Sequence, residues 1–229
     1  MDRGPWPNSH DSLPVQFVDY SDAQHHLVDR LGWFCSYCEM PILNQPAVEH
    51  IQPKSHRPDL ERTWCNLLLA CASCNSTKGT TRSGADECLF PDAHNTALAF
   101  AYSEAGVHVS TTLSPDVARR ATRMWRLVGL DKRHGGERAP GRGDQRSIRR
   151  FQAWGEAVTA RQDLLENRSP RLIRLIVALA LAKGFWSVWM AVFADDQEMR
   201  GHFLQAFAGT ARGCFDAETR PIRRTGGVL

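Results

Sequence analysis

Cys35-Ser36-Tyr37-Cys38 and Cys71-Ala72-Ser73-Cys74-Asn75-Ser76-Thr77-Lys78-Gly79 decide how this chain is read. Each C-x-x-C turn can present two thiolates to one ion, and two such turns complete a tetrahedral zinc site. Thiolates are soft donors and zinc imposes no geometry of its own, so ligand and metal suit each other. Cys35, Cys38, Cys71 and Cys74 are therefore read as ligands of a structural Zn2+. Four protein ligands close the coordination sphere and leave no open position for chemistry at that ion. A redox C-x-x-C would account for one pair but not for the second.

The stretch between the pairs carries Val48-Glu49-His50-Ile51-Gln52-Pro53-Lys54 and Trp64-Cys65-Asn66-Leu67-Leu68-Leu69. Glu49, His50, Asn66, Asn75 and Lys78 are polar residues at turns and element ends around the zinc pairs. Taken with the four cysteines, Pro53 and Gly79, this set resembles the HNH endonucleases of ββα-metal fold, in the subtype braced by a four-Cys zinc site. The resemblance covers residues 33–80. Glu49 stands where Asp is commoner in that family, and Asn75 where the eponymous His can stand.

The resemblance implies a metal-dependent endonuclease. In it Glu49 and Asn75 hold a single catalytic Mg2+ or Mn2+, and Asn66 ties the loop between two strands and orients His50. The chemistry of the side chains points the same way. A free imidazole titrates near pH 6.5, so His50 can serve as a neutral general base in the cell. A carboxylate and an amide carbonyl are the oxygen donors a hard cation prefers. Lys78 is expected to meet a phosphate as a point charge. Simpler readings stand beside these. Asn75 could cap a helix, Asn66 could be structural, and His25 and His26 fall on a surface helix. His56 is a lesser candidate for substrate contact. Cys65, Cys88 and Cys214 read as buried small apolar residues.

Composition bounds the rest. With 229 residues, 42% of them hydrophobic, the chain can form one large domain or two small ones and is not disordered. Its length and its seven cysteines exclude a small disulfide scaffold. Met1-Asp2-Arg3-Gly4-Pro5-Trp6-Pro7 has no secretory pattern. The apolar run from Leu172 to Phe193 is broken by Arg174, Lys183 and Gly184, which suggests two helices joined at Gly184 rather than a membrane span. The expectation is a cytoplasmic protein with reduced thiols and no membrane partner.

Charge is unevenly placed. Residues 1–100 hold seven basic and twelve acidic side chains, whereas residues 119–150 hold eleven basic and three acidic. Arg119, Arg120, Arg123 and Arg126 recur at helical spacing. With Lys132, Arg133, Arg138, Arg142, Arg146, Arg149 and Arg150 they suggest phosphate contacts that position DNA without reading its sequence. Pairing with acidic side chains, or a solvated face, is the alternative.

The fold expected is α+β: a small zinc-braced ββα core and a mostly α-helical C-terminal region. Residues 1–32 form an N-terminal segment with a loose start over 1–13 and a short helix stopped at Gly32. Residues 33–114 form the nuclease core, with a hairpin over 96–113 turning at Glu104-Ala105-Gly106. Residues 115–229 form the helical region for DNA or partner binding, with helices opening at Ser114-Pro115, Ser147, Ser169-Pro170, Trp186 and Gln197. Small HNH proteins with such extensions resemble nuclease subunits of bacterial anti-phage systems, Septu-type and retron-linked ones included, where an ATPase partner controls cutting. Two other functions fit the same residues: a zinc-stabilised nucleic-acid adaptor without catalysis, and an RNA-directed or toxin nuclease. Oligomeric state is not legible.

Overall fold

The computed structural model describes residues 1–4, 16–84 and 86–229. The loose start expected over 1–13 therefore lies mostly outside the described residues. Helix α1 (Ala23–Leu31) buries Ala23, Leu27 and Leu31 on one face, four residues apart, and stops at Gly32. The next residues close a tight knuckle, with Glu39 N–H donating to the Cys35 carbonyl at 2.9 Å and Cys35 N–H to the Met40 carbonyl at 3.0 Å. Ser36 N–H donates to the Leu69 carbonyl at 2.9 Å and docks the knuckle on the sheet behind it.

That sheet is β1 (Ala47–His50) paired antiparallel with β2 (Leu67–Ala70), with Glu49 opposite Leu68 and His50 opposite Leu67. Every residue of β2 is fully buried, so its sequence is an unbroken apolar run rather than an alternating one. Helix α2 (Ala72–Lys78) follows at once and completes a strand–strand–helix unit.

A short helix α3 (Thr96–Ala99) leads into the hairpin β3 (Phe100–Ser103) and β4 (Gly106–Val109), turning through Glu104-Ala105. Helix α4 (Pro115–Leu127) then lays Ala121 and Met124, followed by Val128 and Leu130, into the core that holds α1 and β2. In packing terms the first core thus extends past 115, the expected boundary, to Leu130.

Helices α5 (Arg146–Glu166), α6 (Pro170–Lys183), α7 (Trp186–Val192) and α8 (Gln197–Ala206) enclose a second core. Ser169 caps α6 by accepting the Leu172 N–H. Trp189, Phe193 and Phe203 interlock at the centre of this core, with the Trp189 and Phe203 rings 5.9 Å apart. Phe185, Trp189, Phe193, Phe203 and Phe207 are packing groups. No helix among the described residues is long and apolar enough to cross a membrane.

The two cores meet at the zinc knuckle. Phe185 N–H donates to the Glu39 carbonyl at 2.9 Å, and Ser187 gives the Glu39 carboxylate its N–H at 2.9 Å and its hydroxyl at 2.6 Å. Gly184 sits in this seam at φ +69°, where a Cβ would come within 2.7 Å of the Glu39 carbonyl oxygen and 2.6 Å of Pro41 Cδ. Both the positive φ and the close approach require glycine. Gly184→Ala is expected to destabilise the protein by about 1–3 kcal/mol, read as a lower urea midpoint with the slope unchanged.

Candidate active site

The thiols of Cys35, Cys38, Cys71 and Cys74 converge, all buried, with their sulfurs within 4.8 Å of one another. The first two come from the knuckle, the last two from the start of α2, and Cys71 is itself the N-cap, its Sγ accepting the Cys74 N–H at 3.4 Å. Burial pushes the Cys38 and Cys74 thiols well up, while hydrogen bonds from Cys35 and Cys38 pull Cys71 down. Four buried soft donors at this spacing fit a zinc ion. Because Cys71 caps α2, the helical-cap reading of Asn75 falls away: Asn75 lies inside the helix.

Glu49 and His50 end β1 and point to opposite sides of it, as adjacent strand residues do. Glu49 is 4% exposed and faces α2, with Lys78 Nζ 2.6 Å from its Oε1. Burial raises the Glu49 carboxyl above its usual range and the Lys78 charge opposes that rise. The same ammonium donates to the His50 carbonyl at 2.7 Å. Asn75 precedes Lys78 by three residues, so both project from one face of α2. The Asn75 amide is half-buried and makes no side-chain hydrogen bond among the described residues.

The His50 ring packs against Tyr20 with centroids 4.9 Å apart and planes tilted by 60°, and Lys54 Nζ lies 4.5 Å from the centre of the Tyr20 ring. His50 Nε2 lies 2.8 Å from the Glu61 carbonyl oxygen. A carbonyl can only accept, so Nε2 carries the proton and Nδ1 keeps its lone pair, with no partner among the described residues. Burial is the main cause that lowers the His50 pKa, and the Lys54 and Lys78 charges add to it. Asn66, 3% exposed, knits residues 51–66: its Nδ2 donates to the carbonyls of Gln52 at 3.0 Å and Leu60 at 3.2 Å, and its Oδ1 accepts the Gln52 N–H at 2.8 Å. The Glu61 carbonyl that fixes His50 follows directly on Leu60. Asn66 therefore reaches the imidazole through the backbone rather than by contact. His56 Nε2 lies 3.0 Å from the Thr80 carbonyl, at the end of α2.

Residues 35–81 match the family model described as HNH endonuclease. The chain carries an HNH endonuclease domain. It is also similar to the Septu protein PtuB of Bacillus thuringiensis, 38% identical over 60 residues. That match takes in 25% of this chain and spans 23% of the relative's length. No solved structure matches the chain.

Several expectations are corrected. Lys78 is no surface phosphate contact; at 1% exposure it is locked between Glu49 and the His50 backbone. Arg146 and Arg150 are 2% and 4% exposed, so neither belongs to an outward basic face. Cys65 is exposed, whereas Cys88 and Cys214 are buried as expected. The four arginines of α4 do not share one stripe. Arg119, Arg123 and Arg126 lie along one exposed face, but Arg120 turns inward to His94, 3.5 Å away. Arg119 pairs with Asp116 at 2.6 Å and Arg123 with Glu87 at 2.9 Å. Such exposed pairs are weak and exchange readily. Arg123 also donates to the Arg82 carbonyl, beside Ser83, whose hydroxyl holds the Ile51 carbonyl at 3.3 Å. The stripe therefore borders the chain segment that abuts His50.

Arg146, expected among the phosphate contacts, is instead buried against the thiol cluster. One nitrogen of its guanidinium donates to Cys74 Sγ at 3.0 Å and to the Val128 carbonyl at 2.6 Å. Two others grip Asp144 at 2.8 and 2.7 Å. A zinc ion with four thiolates is net negative, and a charged donor on one sulfur offsets that charge. Outer-shell donors of this kind are typically worth about 10–100-fold in metal affinity. Arg146→Met is expected to speed zinc loss to a chromophoric chelator by about that factor, with Co2+-substituted protein showing shifted thiolate-to-metal bands.

Proposed function

We propose that the protein is a metal-dependent DNA endonuclease in which His50 is the general base. The observation that carries this reading is the tautomer of His50: Nε2 is committed to the Glu61 carbonyl and Nδ1 is left as the basic nitrogen. Its lowered pKa keeps it neutral at cellular pH. Nδ1 takes the proton from the attacking water, and the Glu61 carbonyl steadies the imidazolium formed. Glu49 and Asn75 are the oxygen donors that would hold the catalytic cation, two protein ligands leaving room for water and phosphate. A Mg2+ or Mn2+ held there would supply Lewis-acid polarisation of the scissile phosphate and charge for the leaving oxygen. The Lys78 charge opposes the rise that burial gives the Glu49 carboxyl and so favours its ionised form. Zn2+ in the four-Cys cluster would be structural.

The α4 stripe of Arg119, Arg123 and Arg126, with Arg120 at its flank, would hold the duplex by its phosphates. Likeness to the Septu protein PtuB supports a role in bacterial anti-phage defence, acting with a partner subunit such as an ATPase. That partner would bring control rather than catalysis, since base and cation donors all lie on this chain.

Supercoiled plasmid with Mg2+ or Mn2+ is the direct assay. Wild type should nick or linearise it, EDTA should stop the reaction, and His50→Ala should cut about 10²–10⁴-fold more slowly. Cleavage unaffected by His50→Ala would remove His50 from the chemistry, and binding without cutting under every condition, with a partner subunit present, would leave the adaptor reading. The pH profile carries a sign. The base works only when neutral, and its pKa lies below the ordinary value near 6.5. The rate should therefore hold through about pH 7 and fall only below about pH 6.5. Replacing Arg119, Arg120, Arg123 and Arg126 together by Ala should weaken DNA binding and flatten its dependence on salt; unchanged binding would reassign the stripe.

A further inference from the structure

His50 is held from two sides, and one of them lies outside the matched domain. The Glu61 carbonyl takes the Nε2 proton at 2.8 Å, and the Tyr20 ring packs on the imidazole with centroids 4.9 Å apart. Tyr20 stands ahead of the matched residues 35–81.

A short arm laid along the loop between β1 and β2 brings it there. Phe17 N–H donates to the Arg62 carbonyl at 2.9 Å, and Gln16 pairs with Thr63 as an antiparallel bridge. Phe17 is buried, its ring 6.2 Å from that of Trp64. The chain then enters a 3-10 turn over Tyr20–Asp22, closed by a capping box. In it Asp19 accepts the Ser21 N–H at 2.8 Å and Asp22 accepts the Asp19 N–H at 3.1 Å. Tyr20 therefore projects from a backbone that is fixed on both sides of it.

Lys54 ties the two supports of His50 together. Its Nζ donates to Glu61 Oε1 at 2.9 Å and stands 4.5 Å from the centre of the Tyr20 ring, within cation–π range. Glu61 thus gives its side chain to Lys54 and its carbonyl to His50. The contacts close a ring: His50 to Glu61, Glu61 to Lys54, Lys54 to Tyr20, and Tyr20 back to His50. An exposed ion pair is worth little alone, but both ends of this one lead to the same imidazole. A reacting group has to be held within about 0.5 Å of its productive position. A single hydrogen bond at Nε2 lets the ring swing about that point, and the Tyr20 ring removes that freedom.

We infer that Tyr20, from outside the matched HNH segment, and Lys54 are positioning residues that fix the His50 ring for proton abstraction. The inference rests on the reading of His50 as the general base.

NMR of the full, zinc-loaded chain with nitrogen-15-labelled histidine reads the ring directly. At about pH 8, above the ordinary imidazole value, wild type should show His50 as one tautomer, protonated at Nε2, its signals identified by their loss in His50→Ala. Tyr20→Leu and Lys54→Met should each mix the tautomers, and Tyr20→Phe, which keeps the ring, should restore the wild-type spectrum. Urea midpoints check that the variants fold; should Tyr20→Leu unfold, Lys54→Met at an exposed position carries the test. Single-turnover plasmid cleavage is the second readout, since its rate constant reports the competent molecules and its amplitude counts them. Tyr20→Leu should lower the rate constant by roughly 10–100-fold, with amplitude and DNA affinity unchanged. It should add no further loss to His50→Ala. The inference is overturned if the folded variants leave the His50 spectrum as in wild type, if they cut as fast as wild type where His50→Ala is slow, or if the loss is as large in the His50→Ala background. Undiminished cutting by His50→Ala sinks the base reading itself, and the inference with it. Where wild type cuts nothing without a partner subunit, the His50 spectrum alone decides.

Discussion

Four sulfurs within 4.8 Å of one another are the constraint on which the nuclease unit depends. Two strands of four residues and a helix of seven make a sheet and a cover too small to stand alone. The cysteines come from both sides of that unit: the knuckle ahead of β1 and the turn between β2 and α2. One cation bridging them would fix the start of α2 against the knuckle, the arrangement in which Lys78 lies beside Glu49 at the end of β1. The Arg146 guanidinium extends the same constraint outward, because it binds a zinc-site sulfur with one nitrogen and its own loop with the others. Glu39, next to Cys38, does so from the opposite direction by capping the chain into α7. The helical half is thus fastened to the metal site at two points and is no appendage to it.

The parts of this arrangement legible in the sequence were those with a local cause. Two C-x-x-C turns need only their own spacing to suggest a metal, whereas the grouping of Glu49-His50 with Asn66 and Asn75 rests on a family resemblance and not on any local cause. Helix limits at Gly32, Ser169-Pro170 and Gly184 follow from backbone chemistry within a few residues. Charge proved deceptive for the converse reason. Arg146 looked like one more phosphate contact because nothing in a run of arginines says which is buried. Its fate is set by Cys74 and Val128, 72 and 18 residues away in sequence. The one local hint was Asp144, two residues before it and among the few acids of a basic segment. Lys78 misled in the same way: its partner, Glu49, reaches it only once β1 and α2 are packed. Likewise α4 was assigned to the helical region by its order in the chain, whereas its apolar face joins the first core.

Lys78 repays the comparison with the role first expected of it. A lysine on the surface would lend a phosphate one charge, screened by solvent. Buried, it acts on two groups that the proposed chemistry needs deprotonated. It lies against Glu49, whose burial favours the protonated form, and stabilises the carboxylate. It lies against the His50 backbone, and its charge disfavours the imidazolium. One ammonium thus favours the deprotonated form of both groups, the forms that the proposed roles require. The low dielectric that makes Lys78 expensive to bury is what gives its charge this reach. The departure from the expected surface contact therefore leaves the proposed chemistry better supported than the surface role would.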